Sequence, residues 1–166
     1  MNRILIILPT LLLLLACRGD LTPMNMTSAQ NHKTKVKAFF TALENEDAEA
    51  VSLLFAEDGQ HVNPYASGIF PEGAKGRINI LNYWAPVFPN FDGMTFEIQE
   101  LLAMENPFKV FVKFEGRIKL KGGAGIYQNQ YYATFAFNEE GLITEYIEIF
   151  NPIVAARAFG LIHEIK

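Results

Sequence analysis

The sequence predicts an α+β domain, a curved antiparallel sheet wrapped over a layer of three N-terminal helices. Two observations carry this. Apolar residues recur at helical spacing in the first half of the chain, to about Phe88, and afterwards alternate at the strand period of two as far as Asn151. Turn residues, not helical patterns, separate the later segments, so neighbouring strands pair antiparallel. At 166 residues, half of them hydrophobic, the chain can bury one sizeable core.

The first residues stand apart from that pattern. Met1-Asn2-Arg3 is a short positive stretch, and Ile4 to Ala16 is an apolar run shorter than the ~20 residues that span a bilayer. The run ends Leu14-Leu15-Ala16-Cys17, which resembles a bacterial lipobox, and Cys17 is the one cysteine of the chain. Residues 1–16 are therefore expected to be a lipoprotein signal peptide and Cys17 the site of lipidation. The alternative is an ordinary secretory signal. A lipid-anchored protein of the bacterial cell envelope follows, periplasmic or on the outer surface. A lone acylated cysteine leaves no disulfide within the chain. Residues 17–33 are polar and aperiodic and are expected as a flexible tether, with the folded domain spanning 34–166.

Val36, Phe39, Phe40 and Leu43 fall at i, i+3, i+4 and i+7, predicting a helix from about Thr34 to Glu44. Asp47 can cap a second helix carrying Val51, Leu54 and Phe55, with Gly59 expected in the left-handed stop position. An extended piece from Gln60 to Pro64 leads into a Gly/Pro-rich loop. A third helix is expected from about Gly76, with Ile78, Leu81, Ala85 and Phe88 on its apolar stripe and Pro86 kinking or ending it.

The strands follow. Met94 to Ala103 is the first. Phe108 to Leu120 puts Val110, Val112, Phe114, Ile118 and Leu120 on one face and charged residues, Glu115 and Arg117 among them, on the other. Tyr127 to Asn138 turns Tyr127, Asn129, Tyr131, Phe135 and Phe137 inward. An acidic-Gly turn, Asn138 to Gly141, joins it to the last strand, Leu142 to Asn151. Asn151-Pro152 ends the sheet, and Ile153 to Ile165 is expected as a short helix.

The last strand is apolar on both faces, with Leu142, Thr144, Tyr146, Glu148 and Phe150 on one and Ile143, Glu145, Ile147, Ile149 and Asn151 on the other. One face belongs to the core, and the other points to a partner subunit, so a homodimer is expected with Ile143, Ile147 or Ile149 near its interface. Glu148 on such a strand must be paired, hydrogen-bonded or raised in pKa. It is the leading candidate for acid/base chemistry or ligand binding, against a purely structural carboxylate. Tyr146 and Phe150 share its face. Asn129, turned inward, needs partners for its amide and is expected to bond Glu148 or a ligand. His61 is a candidate acid/base partner or else a partly exposed loop histidine. Tyr83 and Trp84, at the end of the third helix, line a pocket mouth or pack in the core.

Several stretches resemble the nuclear transport factor 2-like superfamily from about Val36 onward. They are Leu53-Leu54-Phe55-Ala56-Glu57-Asp58-Gly59, Gly76-Arg77, and Phe88-Pro89-Asn90-Phe91. Tyr127-Gln128-Asn129-Gln130-Tyr131 and Glu148-Ile149-Phe150-Asn151-Pro152 are similar to the SnoaL-like branch, and especially to the phenazine-biosynthesis A/B-type proteins. The resemblance implies a cone-shaped, curved antiparallel sheet closed by helices around a pocket, as in ketosteroid isomerase-like folds. It also implies an acid/base glutamate at the place of Glu148 and a histidine on the third helix. Ile78 to Phe88 holds no histidine. The frame hosts isomerases, cyclases, hydratases and binders alike.

Other chemistries lack their residues. A net charge of −4 without basic clusters gives no footprint for nucleic acid. His32, His61 and His163 show no metal-ligand spacing, and Gly122-Gly123-Ala124-Gly125 precedes no helix, so neither a metal nor a phosphate-bearing cofactor is expected. Two functions remain. One is a non-catalytic, exported binder of a small hydrophobic or aromatic molecule, lined by Tyr83, Trp84, Tyr127, Asn129, Tyr131, Tyr146 and Phe150. The alternative is a cofactor-free isomerase, cyclase or hydratase working through Glu148 and His61.

Overall fold

The computed structural model describes residues 23–164. Cys17 and the signal sequence lie outside the described residues. Helix α1 runs Pro23–Glu44, eleven residues earlier than the periodicity predicts. The stretch from Pro23 to Lys33, expected as tether, is thus helical. Pro23 suits a first helical position. His32 ties this half down: it is buried, its Nδ1 donates to the Pro107 carbonyl at 2.8 Å, and its ring stacks on Phe137. Farther along, Val36, Phe39, Phe40 and Leu43 are all buried. Each such side chain contributes about 1.5–3 kcal/mol relative to an exposed one. Phe39 packs on Phe55, Phe135 and Tyr146, and Phe40 on Phe96 and Phe114, so one helical face holds the sheet's concave side.

Asp47 caps α2 (Ala48–Leu53), its Oδ1 accepting from the Ala50 N–H at 2.8 Å. The helix ends sooner than predicted and the chain passes directly into strand β1 (Phe55–Val62). Gly59 is therefore not a left-handed helix stop. It lies inside β1, where a Cβ would stand 2.6 Å from the Ile143 carbonyl oxygen, too close for any side chain. The short strand β2 (Gly73–Lys75) lies beside β1.

Helix α3 (Arg77–Trp84) buries Ile80, whereas Ile78, expected on its stripe, is 63% exposed. Arg77 sets this rotation. Its guanidinium donates to the Phe55 carbonyl from Nε (3.0 Å) and Nη2 (2.7 Å), and from Nη1 to Glu57 (2.6 Å). That anchor turns Ile80, Tyr83, Trp84 and Val87 inward, at i, i+3, i+4 and i+7.

Strands β3 (Phe91–Ala103), β4 (Lys109–Leu120), β5 (Gly125–Phe137) and β6 (Ile143–Phe150) complete a six-stranded sheet ordered β2-β1-β6-β5-β4-β3. The pairs are antiparallel except β1 with β6, which run parallel. The inward residues of β4 and β5 are buried as alternation predicts. In β6 the register shifts: Phe137 pairs with Ile143, but Ala136 pairs with Glu145. The extra residue, Thr144, lets both Ile143 and Tyr146 face the core. Ile143 is fully buried and so belongs to the core, not to the outer face assigned to it from alternation.

Asn151 caps α4 (Pro152–Ala158), its Oδ1 accepting from the Ile153 and Val154 amides. Gly160, at φ +71°, ends this helix after Ala158, and among the described residues a short 3₁₀ turn, Ile162–Glu164, follows.

Candidate functional site

A cavity of about 190 Å³ lies between the concave sheet and the helices. Its wall is mostly apolar, with Leu43 from α1, Met94 and Phe96 from β3, Ile118 from β4 and Phe150 from β6. Polar atoms reach it from four places: Glu148 on β6, Tyr127 and Tyr131 on β5, Tyr83 and Trp84 on α3, and Asn63 just after β1.

Glu148 is half-buried and presents its carboxyl to the cavity. Tyr146, two residues back on the same strand face, donates its hydroxyl hydrogen to Oε2. Tyr146 is its only hydrogen-bond partner among the described residues, which leaves the second oxygen without one. Desolvation raises the Glu148 pKa to about 7, and the Tyr146 hydrogen bond offsets only part of that. Burial, with the Glu148 charge beside it, lifts Tyr146 well above its ordinary value and keeps it a neutral donor. Tyr146 itself is fully buried against Phe39, Phe135 and His61. It stands behind the cavity wall and meets the cavity only through Glu148.

Asn129 is buried but does not bond Glu148. Its Nδ2 donates to the Asn151 carbonyl and to the Tyr127 hydroxyl, both at 2.9 Å. Its side chain lies at the base of α4, away from the cavity. Asn129 thereby joins the helix cap to the tyrosines. Tyr127 and Tyr131 share a hydroxyl–hydroxyl hydrogen bond of 2.8 Å. Two hydroxyl protons and one such bond leave one proton over, and the pair can offer it into the cavity it lines. Burial pushes the Tyr127 hydroxyl up to about 12 and raises Tyr131 well above the usual value, so both stay protonated.

On the opposite side, Asn63 Nδ2 donates to the Pro71 carbonyl (3.0 Å) and to the Tyr83 hydroxyl (3.1 Å). A carbonyl can only accept, so this fixes the amide's orientation. The Tyr83 oxygen accepts and keeps its own proton free to donate. Burial first, and the nearby Glu148 charge second, hold Tyr83 at about 12. The arrangement is one carboxyl poised near neutrality with neutral phenols on two sides.

His61 is the chief departure from expectation. It is no exposed loop residue; β1 carries it into the interior, 2% exposed. Its ring stacks on Trp84 at 5.6 Å and 4°, and meets Tyr83 and Tyr146 edge-on or tilted. Neither ring nitrogen has a hydrogen-bond partner among the described residues. Burial lowers its pKa to about 4, with Asn63 nearby opposing this weakly, so the imidazole is neutral at physiological pH. It packs behind Trp84 and does not line the cavity. Helix α3 lacks a histidine of its own, and β1 supplies an imidazole to its inner face instead.

Asn63 and the lining residues Phe70 and Phe159 escaped the sequence reading. The Asn63-Pro64 turn was one available signal, but loop residues acquire neighbours only when the chain closes. Among the described residues, no group of three His, Cys, Asp or Glu side chains comes together to hold a metal ion.

The fold is similar to that of a phenazine biosynthesis-related protein from Pseudomonas aeruginosa, at 18% identity and a TM-score of 0.71, covering 82% of this chain and 85% of that one. It is likewise similar to an LEH-like epoxide hydrolase from M. tuberculosis (18%, TM-score 0.62, 82% and 92%). A third similar structure is a protein with a ketosteroid isomerase-like fold from Catenulispora acidiphila (19%, TM-score 0.64, 76% and 92%). At these identities the likeness concerns the fold alone. No curated protein sequence matches the chain. The profile of the SnoaL-like domain matches residues 36–146, two thirds of the chain and most of the helices and strands just described; the chain belongs to the SnoaL-like domain family.

Proposed function

We propose that the cavity binds a small, largely apolar molecule carrying one hydroxyl or carbonyl group, which Glu148 and the flanking phenols receive. The observation behind this is the placement of a single carboxyl, partnered among the described residues only by Tyr146, in a mostly apolar enclosure. A space of about 190 Å³ is below the ~300–1,000 Å³ of pockets for drug-sized ligands, which favours molecules of one or two rings. Trp84, the one tryptophan of the chain, lines the cavity and serves as a built-in reporter. Calorimetric titration with phenol and 2-naphthol, followed in parallel by Trp84 emission, tests the reading. Saturable binding with an emission change supports it, and absence of both refutes it.

Acid/base turnover is the second reading, favoured by the Glu148 pKa of about 7, a value suited to exchanging protons near neutrality. With the carboxyl as base and a phenol proton stabilising a developing oxyanion, the site could enolise a bound ketone. Deuterium uptake next to the carbonyl of 2-cyclohexenone, read by NMR, would be faster than in buffer and lost in Glu148→Gln. Exchange at the buffer rate leaves the binding function alone.

The domain is proposed to act as an envelope lipoprotein anchored through Cys17. It is proposed to pair with a second copy through the outer face of the sheet. There Tyr132 and Ile149 are cross-strand partners, 44% and 39% exposed, with Phe111 beside them. Light scattering at micromolar concentration tests the pairing, and a monomer would refute it.

A further inference from the structure

The inner cavity has an outer neighbour. A groove of about 500 Å³ lies by the end of α4, lined by Leu120 at the end of β4, Ala124 beyond it, Ala158 and Leu161, with Asn90 and Lys121 as its polar members. Cavity and groove share four side chains, Phe70, Val87, Phe91 and Phe159. Phe159 stands at the centre of this partition. Its ring lies 5.1 Å from Tyr127 on the inner side and 6.3–6.5 Å from Phe70 and Phe91, and it is 37% exposed. These are edge and tilted aromatic contacts at ordinary distances, with part of the ring open to solvent. The backbone beyond it is held firmly: Leu161 N–H bonds the Ala156 carbonyl at 2.7 Å around left-handed Gly160, which keeps Leu161 against the groove.

We infer that cavity and groove form one binding channel, and that the ligand is an amphiphile whose polar head sits at Glu148 and whose apolar tail passes Phe159 into the groove. The inference deepens the function proposed above and rests on it. Three features favour a tail of the same ligand as the occupant. The groove adjoins the site across four shared side chains, its lining is apolar apart from Asn90 and Lys121, and the cavity alone is too small for more than the head.

A calorimetric series with phenol and 4-ethyl-, 4-butyl-, 4-hexyl- and 4-octylphenol tests it on the intact domain. Affinity should rise about four-fold per methylene, in line with ~0.8 kcal/mol for each one buried, and the rise should continue through the hexyl and octyl compounds. Ala124→Trp, which fills the groove from an exposed position, and Leu161→Asp, which places a charge in it, should each flatten the series beyond ethyl while phenol binds as before. A series that levels off at ethylphenol in the unmodified protein overturns the channel and leaves the binding function intact. So does a series that neither variant changes. If no phenol of any length binds, the cavity reading falls and the channel with it.

Discussion

Tyr146 holds Glu148: its hydroxyl donates to the carboxylate from two positions earlier on the same face of β6. The strand period of two places both side chains on one side, but Tyr146 lies in the core while Glu148 reaches the cavity. Only one carboxyl oxygen is so engaged. The pair is thus a fixed mount for a carboxyl that lines the cavity and whose other oxygen has no hydrogen-bond partner among the described residues.

Glu148→Gln keeps the shape and the acceptor for Tyr146 while removing the charge. Phenol affinity should fall about ten-fold or more, since hydrogen bonds to charged groups contribute ~1.5–3 kcal/mol. Stability near pH 8 should be unchanged within ~1 kcal/mol or improved, because a buried carboxylate costs desolvation. A large loss of stability in urea melts with undiminished phenol binding would make Glu148 a structural residue.

His61 and Glu148 should hide each other's pH dependence. The folded-state pKa of His61 is lowered from 6.5 to about 4, so between these values the unfolded chain binds the extra proton and stability rises with pH. Glu148 is raised from 4.5 to about 7, so the folded state binds the extra proton and stability falls as pH rises. Each slope is about 1.4 kcal/mol per pH unit, and between pH 4.5 and 6.5 they oppose each other. Urea melts of the unmodified protein should show little slope there from this pair. Glu148→Gln should expose a stability that climbs with pH, and His61→Phe one that declines. Parallel profiles for all three proteins would contradict both assignments.

Tyr127→Phe should cost more than Tyr131→Phe. The Tyr127 hydroxyl serves both Asn129 and Tyr131, so its loss strips a partner from a buried amide, worth ~1–3 kcal/mol, against ~0.5–1.5 for Tyr131. Gly116→Ala acts on the same pair by another route. Its Cβ would stand 2.9 Å from the Tyr131 ring and 3.1 Å from Phe96, forcing Tyr131 out of its stack on Phe114. Phenol affinity should drop in Gly116→Ala even where the fold survives, as judged by circular dichroism and calorimetry.

Cys17 should carry acyl chains, with residues 1–16 removed, in protein taken from its native envelope. Intact-mass spectrometry decides this. A chain that keeps Met1 and a free thiol refutes the anchor.

The sequence by itself determined the helical face Val36–Leu43, the Asp47 cap, the long strands β4 and β5 and the inward course of their apolar residues. These follow from local periodicity and short-range hydrogen bonds, which need no distant partner. It also marked Glu148, since a carboxylate on a two-sided apolar strand is costly wherever that strand lies. Only the tertiary structure decided the rest. The bulge at Thr144 that sends Ile143 inward depends on the register against β5. The rotation of α3 depends on Arg77 reaching the Phe55 carbonyl from twenty-two residues away. The burial of His61 behind Trp84 depends on β1 pairing parallel to β6, the latest strand in the chain. Long-range pairing and close backbone approach, as at Gly59, override local pattern because a buried backbone must satisfy its hydrogen bonds first and its side chains follow.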